Sequence, residues 1–243
     1  MTEQSIVGRL SAYISQAGGR PLPEAVSEKG KHHILDTLAA MVSGSRLKPG
    51  ELAIDFIRRQ GGTPEAQVIG TDFLTTAINA AMVNGFMAHA DETDDSHAPS
   101  LTHPGCAVVP AALAVGELED QSGEALLRAV VLGYDLSSRV ARVMGKGTYR
   151  IQGHATHSIG PLFGAMAAAA SLAGLNPRQV SHALAYTGQQ ASGITSWPRD
   201  EEHVEKAFVF AGMGARNGVT SVLFVKHGFT GEDDIFSGSD NFL

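Results

Sequence analysis

The sequence predicts an all-α fold, and three features of the 243 residues support that prediction. Apolar side chains recur at helical spacing along most of the chain. Almost no stretch alternates apolar with polar residues as a half-buried strand does, and short loops containing Gly, Pro or polar residues separate the helical stretches. The 28 glycines, together with abundant alanine, indicate helices that pack closely against one another.

Start and stop signals divide the chain into its predicted helices. Gly18 ends the first helix, and Pro23 precedes the second. Asn176 is a suitable N-cap for the helix that Pro177 opens. One short segment, 67–70, has a strand-like composition. The predicted helices span residues 6–17, 23–44, 52–60, 75–88, 104–118, 122–144, 159–173, a segment from 177, and 204–226.

Composition restricts the class of protein. With 43% hydrophobic and 18% charged residues, the chain can bury a sizeable core. A net charge of -7, with no run of Lys or Arg longer than two, argues against a nucleic-acid or anionic-membrane surface. No dinucleotide, P-loop or serine-hydrolase motif is present.

Three further observations predict a cytoplasmic protein outside the membrane. The single Cys106 excludes an internal disulfide and fits a reducing compartment. The N-terminal residues lack the basic and apolar regions of a signal peptide. The stretch between Arg150 and Arg178 has no charged residue, but it is mainly alanine and contains polar residues, so it predicts a buried helix and no membrane span.

A cluster of histidines and carboxylates is the most unusual feature of the sequence. Five of the ten histidines fall between positions 89 and 157, and four carboxylates are interleaved with the first three of them. Adjacent carboxylates repel one another, so stability alone does not explain this density. The residues are His89, His97, His103, His154, His157, Asp91, Glu92, Asp94 and Asp95.

Three interpretations of this cluster stay open on the residues alone. The first is a solvated acidic loop. The second is a metal site, because imidazole and carboxylate bind divalent cations, although no H-E-x-x-H motif is present and the spacing selects no particular metal. The third is proton transfer with histidine as acid or base, because imidazole changes its charge near neutral pH.

The position of two histidines at predicted helix starts favours proton transfer on an anion. His103 precedes Pro104 at the start of one helix, and His154 lies in a Gly-containing loop just before another. The positive end of a helix dipole favours bound anions. Two such helix starts facing each other would form an anion-binding cleft.

Four further residues have both a functional and a structural interpretation. Lys206 could hold an anion, although a lysine near a helix start is usually solvated. Cys106 could be an activated thiol at a helix start, although free cysteine is more often a small buried residue. His157 and Trp197 could line a pocket, or they could anchor the core.

Four longer segments support one resemblance. They are the N-terminal HHILDTLAAMVSGS, the acidic NGFMAHADETDDSHAPSLTHPGCAVVPAALAVGE, the Gly-His loop and Ala-rich helix in QGHATHSIGPLFGAMAAAASLAGL, and the lysine-bearing EKAFVFAGMGARNGVTSVLFVKHGFTG. In this order they resemble the MmgE/PrpD family, which includes 2-methylcitrate dehydratase and cis-aconitate decarboxylase. The resemblance extends over essentially the whole chain.

The resemblance implies a large all-helical domain, usually paired in a homodimer, and a smaller α/β lid domain inserted after the GFTG segment. The sequence reaches Leu243 about where that lid is expected to begin. We therefore expect a helical domain over residues 1–230, a tail over 231–243 that looks unattached, and no lid within these residues. A second copy of the chain, joined through small-residue helices such as GAMAAAASLAG, and a separate lid polypeptide are the expected protein partners.

The resemblance also assigns residues in the acidic loop. The first acid of the family pattern falls on Glu92, its later pair on Asp94 and Asp95, and its threonine on Ser96. Because the loop is longer here before the His-Pro pair, Asp91 is the alternative to Glu92.

Outside the loop, the resemblance assigns the histidine of the His-Pro pair to His103, the histidine of the Gly-His loop to His154 and the active-site lysine to Lys206. His157, three residues after His154, is expected to orient the site. The family often has a further histidine shortly after the lysine, but the residues that follow here are AFV.

The implied chemistry is that of a lyase without a metal or organic cofactor. A small di- or tricarboxylate such as 2-methylcitrate loses water or carbon dioxide, or is isomerised. Lys206 and protonated His103 would hold carboxylates and His154 would carry the proton, while the neighbouring acids raise the pKa of the histidines. Two other classes stay open: a metal-dependent helical hydrolase that uses the His/Asp loop, and a non-catalytic helical dimer without the lid.

Overall fold

The described residues form a bundle of helices with one minimal sheet, which confirms the all-α prediction. The computed structural model describes residues 5–144 and 153–243. In chain order the elements are α1 (Ile6–Ala17), α2 (Glu24–Gly44), α3 (Lys48–Gln60), β1 (Ala66–Gln67), β2 (Leu74–Thr75), α4 (Ala77–Ala88), α5 (Gly105–Leu118), α6 (Gly123–Val143), α7 (Thr156–Leu172), α8 (Pro177–Gln189), a 3₁₀ turn (Trp197–Arg199), α9 (Val204–Ala207), a π-helical turn (Phe208–Gly212) and α10 (Met213–Lys226).

Four helix starts in the described part of the chain carry side-chain caps. The side chains of Ser5, Thr76 and Ser122 accept hydrogen bonds from the first turns of α1, α4 and α6. Asn176 and Gln179 form a reciprocal capping box at the start of α8, as the Asn-Pro signal predicts. These boundaries are set within a few residues of sequence, which explains why the sequence predicts them.

Three predicted helix starts differ from the structure. The helix predicted over 52–60 begins four residues earlier, at Lys48, with Pro49 in its first turn. The helix predicted over 75–88 begins at Ala77, because Thr75 pairs with Ala66 in the antiparallel two-stranded sheet. The helix predicted from 159 begins at Thr156, so that His157 lies in its first turn. Most of the predicted loop before it, residues 145–152, lies outside the described residues.

The Ala-rich helix α7 forms the centre of the fold. It packs against α5, α6, α8 and α10, and the side chains of residues 165–170 are fully buried. A Cβ on Gly164 would lie 2.5 Å from the carbonyl oxygen of Gly133 in α6, so the two backbones are in contact. The prediction that this small-residue helix forms a dimer surface is therefore wrong, because its partners are other helices of the same chain.

The last predicted helix, 204–226, contains an interruption that the sequence pattern does not reveal. α9 and α10 are joined by the π-helical turn, which widens the helix without changing its apolar character. Within the described residues, Val204–Lys226 is one helix with the length and composition of a membrane span, but 72% of its apolar window is buried inside the fold. Such burial is typical of a core helix.

The C-terminal tail is attached to the helices, contrary to expectation. The ring centroid of Phe242 lies 5.3 Å from that of Phe163 in α7, and Ile235 packs against the same core. The backbone N–H of Gly231 donates a hydrogen bond to Nδ1 of His182, with 3.1 Å between the nitrogens. A few apolar side chains are enough to hold the segment, although Gly, Ser and Asp dominate its composition.

Candidate active site

Side chains from four separate segments contact the ring of Phe210. His89 stacks on this ring with 4.6 Å between the centroids and an interplanar angle of 8°, and His157 stacks on it at 4.8 Å. Phe210 is therefore the apolar centre of a site with several groups that can carry positive charge. Its other neighbours are the ring of His103 at 5.6 Å, the ring of Trp197 at 4.9 Å and Nζ of Lys206 at 5.4 Å.

Close packing of two helices places His89 against Phe210. A Cβ on Gly85 in α4 would lie 2.9 Å from Cα of Gly212, at the end of the π-helical turn. Only glycine at position 85 allows the two backbones to approach so closely. His89, which follows the last residue of α4, is consequently fully buried beside the π-helical turn. Turns of this kind occur frequently at functional sites.

A buried carboxylate joins two of the histidines. Oδ1 of Asp94 lies 2.8 Å from Nδ1 of His89, and Oδ2 of Asp94 lies 3.4 Å from Nδ1 of His103. The side chains of Asp94 and His89 have no exposed surface, whereas 22% of the His103 side chain is exposed. The acidic loop is therefore not merely solvated, since one of its carboxylates lies inside the protein.

The pairing shifts the pKa values of Asp94 and His103 in opposite directions. Burial raises the pKa of Asp94, but the hydrogen bond with His89 and the facing imidazole of His103 outweigh burial and hold this pKa well below its usual range. Burial lowers the pKa of His103, but the negative charge of Asp94 that faces its Nδ1 outweighs burial, and the pKa is raised. The pair is therefore stabilised as carboxylate and imidazolium.

The same geometry orients the imidazole of His103. Because Nδ1 faces Asp94, Nε2 is the ring nitrogen that is left for a ligand. A carboxylate that fixes a histidine in this way sets its orientation and stabilises its protonated form. His103 is thus suited to donate a proton to a bound molecule.

Replacing Asp94 by asparagine should lower the pKa of His103, because burial is then opposed only by the smaller contributions of Asp95 and Glu92. Removing one partner of a buried pair should also reduce the free energy of unfolding at pH 6 by about 3 kcal/mol. A raised native pKa stabilises the protein below the unfolded pKa of about 6.5, and this contribution is lost as the pH rises through the native pKa. We therefore expect the stability difference between wild type and variant to shrink between about pH 6.5 and the native pKa of His103.

NMR titration of the histidine ring protons and urea unfolding across this pH range would measure both effects. Asp91→Asn is the matched control, because Asp91 is exposed and accepts hydrogen bonds only within its own turn, from the backbone N–H and hydroxyl of Thr93. An unchanged pKa of His103 in Asp94→Asn would contradict the pairing.

Glu92, Lys206 and His203 form a second group beside the first. Oε1 of Glu92 forms an ion pair with Nζ of Lys206 and lies 3.4 Å from Nδ1 of His203. Burial raises the pKa of Glu92, but the hydrogen bond and charge of Lys206 outweigh it and lower this pKa. The ammonium of Lys206 also lies over the rings of Trp197 and Phe210, at 5.0 and 5.4 Å, and only 13% of its side chain is exposed.

Asp95 is turned toward a different part of the fold from Asp94. Its Oδ2 accepts a hydrogen bond from the hydroxyl of Tyr134 at 2.7 Å and lies 2.6 Å from Nδ1 of His33, while Oδ1 accepts from the backbone N–H of Gly105 at 3.0 Å. Asp95 therefore anchors the loop to α2, α5 and α6. It also occupies the first amide of α5, so the helix start that we expected to bind a foreign anion is partly filled by this carboxylate.

The remaining predicted residues lie at the periphery. Asp91 and Ser96 are exposed. His154 has an exposed side chain, and its backbone forms an antiparallel bridge with Ile194, in the segment that leads to Trp197. A substrate contact for these residues stays a prediction.

The site contains one set of atoms that resembles a metal-binding group. Within the described residues, one ligand atom each from His89, Asp94 and Cys106 lies within 4.8 Å of the others. Burial, and then the charge of Asp94, raises the pKa of the Cys106 thiol well above its usual value, so it is a poor metal ligand or nucleophile. Both oxygens of Asp94 already face histidines. The donor set therefore fits proton transfer better than metal binding.

Sequence reasoning missed His203 and Phe210. Both had a signal: His203 precedes Lys206 by three residues and Phe210 follows it by four, which places all three on one face of a helix. The family pattern has its further histidine shortly after the lysine, whereas His203 precedes Lys206 in this sequence.

Comparison with known proteins gives matches over nearly the whole chain. The family model for the MmgE/PrpD N-terminal domain, a description of its sequences, matches residues 8–243. The chain is 28% identical over 249 residues to the cis-aconitate decarboxylase-like protein oryM of Aspergillus oryzae, covering 98% of this chain and 50% of that protein. It is 24% identical over 226 residues to the cis-aconitate decarboxylase of Mus musculus, covering 91% and 45%. The chain thus spans about half the length of these curated relatives. It belongs to the MmgE/PrpD family.

Proposed function

We propose that the chain carries the acid–base and carboxylate-binding groups of a lyase that acts on a small di- or tricarboxylate. The observation that carries this proposal is the arrangement around Phe210. An imidazole held in its protonated form by the buried Asp94 and the ammonium of Lys206 contact the same ring. Preorganised positive groups of this kind stabilise the negative charge that develops when a carbon next to a carboxylate loses a proton or carbon dioxide.

Among lyase reactions, we propose decarboxylation of a tricarboxylate such as cis-aconitate. In this reaction the bond to one carboxylate breaks, carbon dioxide leaves, and the electron pair left on carbon takes a proton. His103, with its raised pKa, suits the proton donor, and Lys206 suits a carboxylate that stays on the substrate. The two relatives named above are a cis-aconitate decarboxylase and a protein described as similar to one, which also favours this reaction.

Dehydration of 2-methylcitrate is the second candidate, and the site supports it less directly. Dehydration begins with a base that removes a proton, and a paired imidazolium is a poor base. His154 would then have to carry that proton. His154 is therefore the proposed proton carrier for dehydration, and His103 is the proposed proton donor for decarboxylation.

The assay that tests this proposal compares cis-aconitate, citrate and 2-methylcitrate by NMR. We expect weak turnover at most by these 243 residues, because they span about half the length of the curated relatives. Binding of citrate should weaken as salt rises from low ionic strength to about 0.15 M. Citrate affinity that is independent of salt, or turnover that requires an added divalent ion and is lost with a chelator, would overturn the proposal in favour of a different chemistry.

We also propose a homodimer in the cytoplasm. The support for a second copy is a set of exposed apolar side chains on the outer surface of the bundle. In α2 and α3 these are Leu35, Val42, Leu52 and Phe56. Sedimentation as a monomer at micromolar concentration would contradict the dimer, whereas a dimer without carboxylate binding would favour a non-catalytic remnant.

A further inference from the structure

We propose that His203 is a positioning residue: it takes up a proton when an anionic substrate engages Lys206, and the resulting imidazolium then holds the carboxylate of Glu92 beside that lysine. This inference rests on the proposed function; the electrostatic coupling of His203 to Glu92 in the unbound site does not. Neither the family pattern nor the sequence alone assigns a role to this histidine.

The hydrogen bonds of His203 define which nitrogen carries the proton. Nε2 lies 3.2 Å from the backbone carbonyl oxygen of His89, and a carbonyl oxygen only accepts hydrogen bonds. The neutral ring therefore has its proton on Nε2 and a lone pair on Nδ1. This lone pair faces Oε1 of Glu92 across 3.4 Å, with two acceptors opposite each other.

That contact becomes a hydrogen bond only if a proton enters it. The titratable groups that face His203 are His89 at the end of α4, Glu92 in the loop and Lys206 in α9. Burial, and next His89, lowers the pKa of His203, while Glu92 acts in the opposite direction. In the ligand-free site the ammonium of Lys206 neutralises Glu92, so the ring stays neutral near pH 7.

A bound carboxylate changes this balance. It shares the ammonium of Lys206, so that two negative groups then face one cation. The excess negative charge of Glu92 lies nearest to Nδ1 of His203 and favours protonation there. The proton comes from the solvent, and the resulting imidazolium keeps Glu92 in place.

The backbone conformation of His203 is uncommon for a residue other than glycine, and it places the imidazole beside His89 and Glu92. Its φ of 60° and ψ of 18° lie in the left-handed region, which residues other than glycine adopt uncommonly and which Asn, Asp and His adopt more often than the rest. The ring contacts the backbone carbonyl oxygen of His89 and the carboxylate of Glu92. Asparagine at 203 would keep this backbone conformation while removing the imidazole, which makes it the informative substitution.

The first experiment measures the electrostatic coupling of His203 to Glu92 in the ligand-free protein. NMR titration should show that Glu92→Gln lowers the pKa of His203, because the nearest negative charge is removed. Glu202→Gln is the matched control, since the exposed Glu202 pairs with Lys48 and should leave that pKa nearly unchanged. An equal pKa of His203 in wild type and Glu92→Gln would show that the two groups are not coupled and would overturn the inference.

The second experiment measures proton uptake with citrate as the probe. Calorimetric titrations in buffers of different ionisation enthalpy should show uptake by the wild type near pH 7. His203→Asn should lose this uptake and bind citrate more weakly by up to about fivefold, the range that a partly exposed charge pair supplies. A purely structural role would lower affinity without removing the uptake, so undiminished uptake in His203→Asn would overturn the inference.

The two experiments separate the inference from the proposed function. If the wild type does not bind citrate, the proposed function is overturned together with the proton uptake, and the NMR comparison alone decides whether His203 is coupled to Glu92. If citrate binds and His203→Asn behaves like wild type at every pH, the proposed function stands and the role of His203 is wrong.

Discussion

Replacing Lys206 by alanine should weaken citrate binding by about 10- to 100-fold and reduce any turnover by about 100- to 1000-fold. The ammonium of Lys206 is held between the carboxylate of Glu92 and the rings of Trp197 and Phe210, and it is mostly buried. A cation in such a place interacts with an anion more strongly than a solvated one. Its loss would also leave Glu92 uncompensated, and that charge would repel the substrate.

Two variants control for side effects of this substitution. Lys48→Ala removes the same charge from an exposed ion pair with Glu202 and should leave citrate binding within about twofold of wild type. Cys106→Ser should be nearly neutral for turnover, because its thiol is fully buried and protonated.

His154→Ala is expected to abolish turnover if that residue carries the proton. Calorimetry measures the citrate affinity of the four variants, and NMR assays measure their turnover. Equal citrate affinity of Lys206→Ala and Lys48→Ala would show that Lys206 does not hold the anion.

The helices could be predicted because their signals are local. Apolar spacing and capping residues such as Ser122 and Asn176 act within a single turn, so they appear directly in the sequence. The π-helical turn could not be predicted from local sequence. It lies where Gly212 packs against Gly85 of another helix, and this contact joins residues that are far apart in the chain. The same holds for the tail, whose few apolar side chains have meaning only against the surface of α7.

Some residues of the candidate site could be named from the sequence, but the contacts that give the acidic residues different roles could not. His103 and Lys206 carry distinctive chemistry and match the family pattern, so their residue types were sufficient to name them. Asp94 and Asp95 look equivalent in sequence, yet one is enclosed between His89 and His103 and the other anchors α5 and α6. Only the path of the loop separates their roles, and that path is determined by contacts distant in sequence.

The second large effect is expected for Gly44→Ala, which should reduce the free energy of unfolding by about 3 kcal/mol. Gly44 is the last residue of α2, where a Cβ would overlap the carbonyl oxygen of Met87 in α4 and lie 2.7 Å from its carbonyl carbon. The backbone of α3 presses on Gly44 from the other side, because a Cβ on Gly50 would lie 2.9 Å from the carbonyl carbon of Gly44. Backbone atoms held in two helices cannot move as the end of a flexible side chain can.

The substitution should also disturb the candidate site, because the displaced segment leads directly into it. Met87 is two residues before His89, so separating α2 from α4 moves that imidazole away from Phe210 and Asp94. Urea unfolding measures the stability, and NMR titration of His103 reports whether its pKa falls with the loss of its ordered partner. Gly123→Ala is the control: it lies in the first turn of α6 with no atom within 4 Å of a Cβ, and it should stabilise the protein slightly, by about 0.5 kcal/mol. If Gly44→Ala is as stable as Gly123→Ala, then α2 and α4 are not in backbone contact, and the rigid support inferred for His89 is absent.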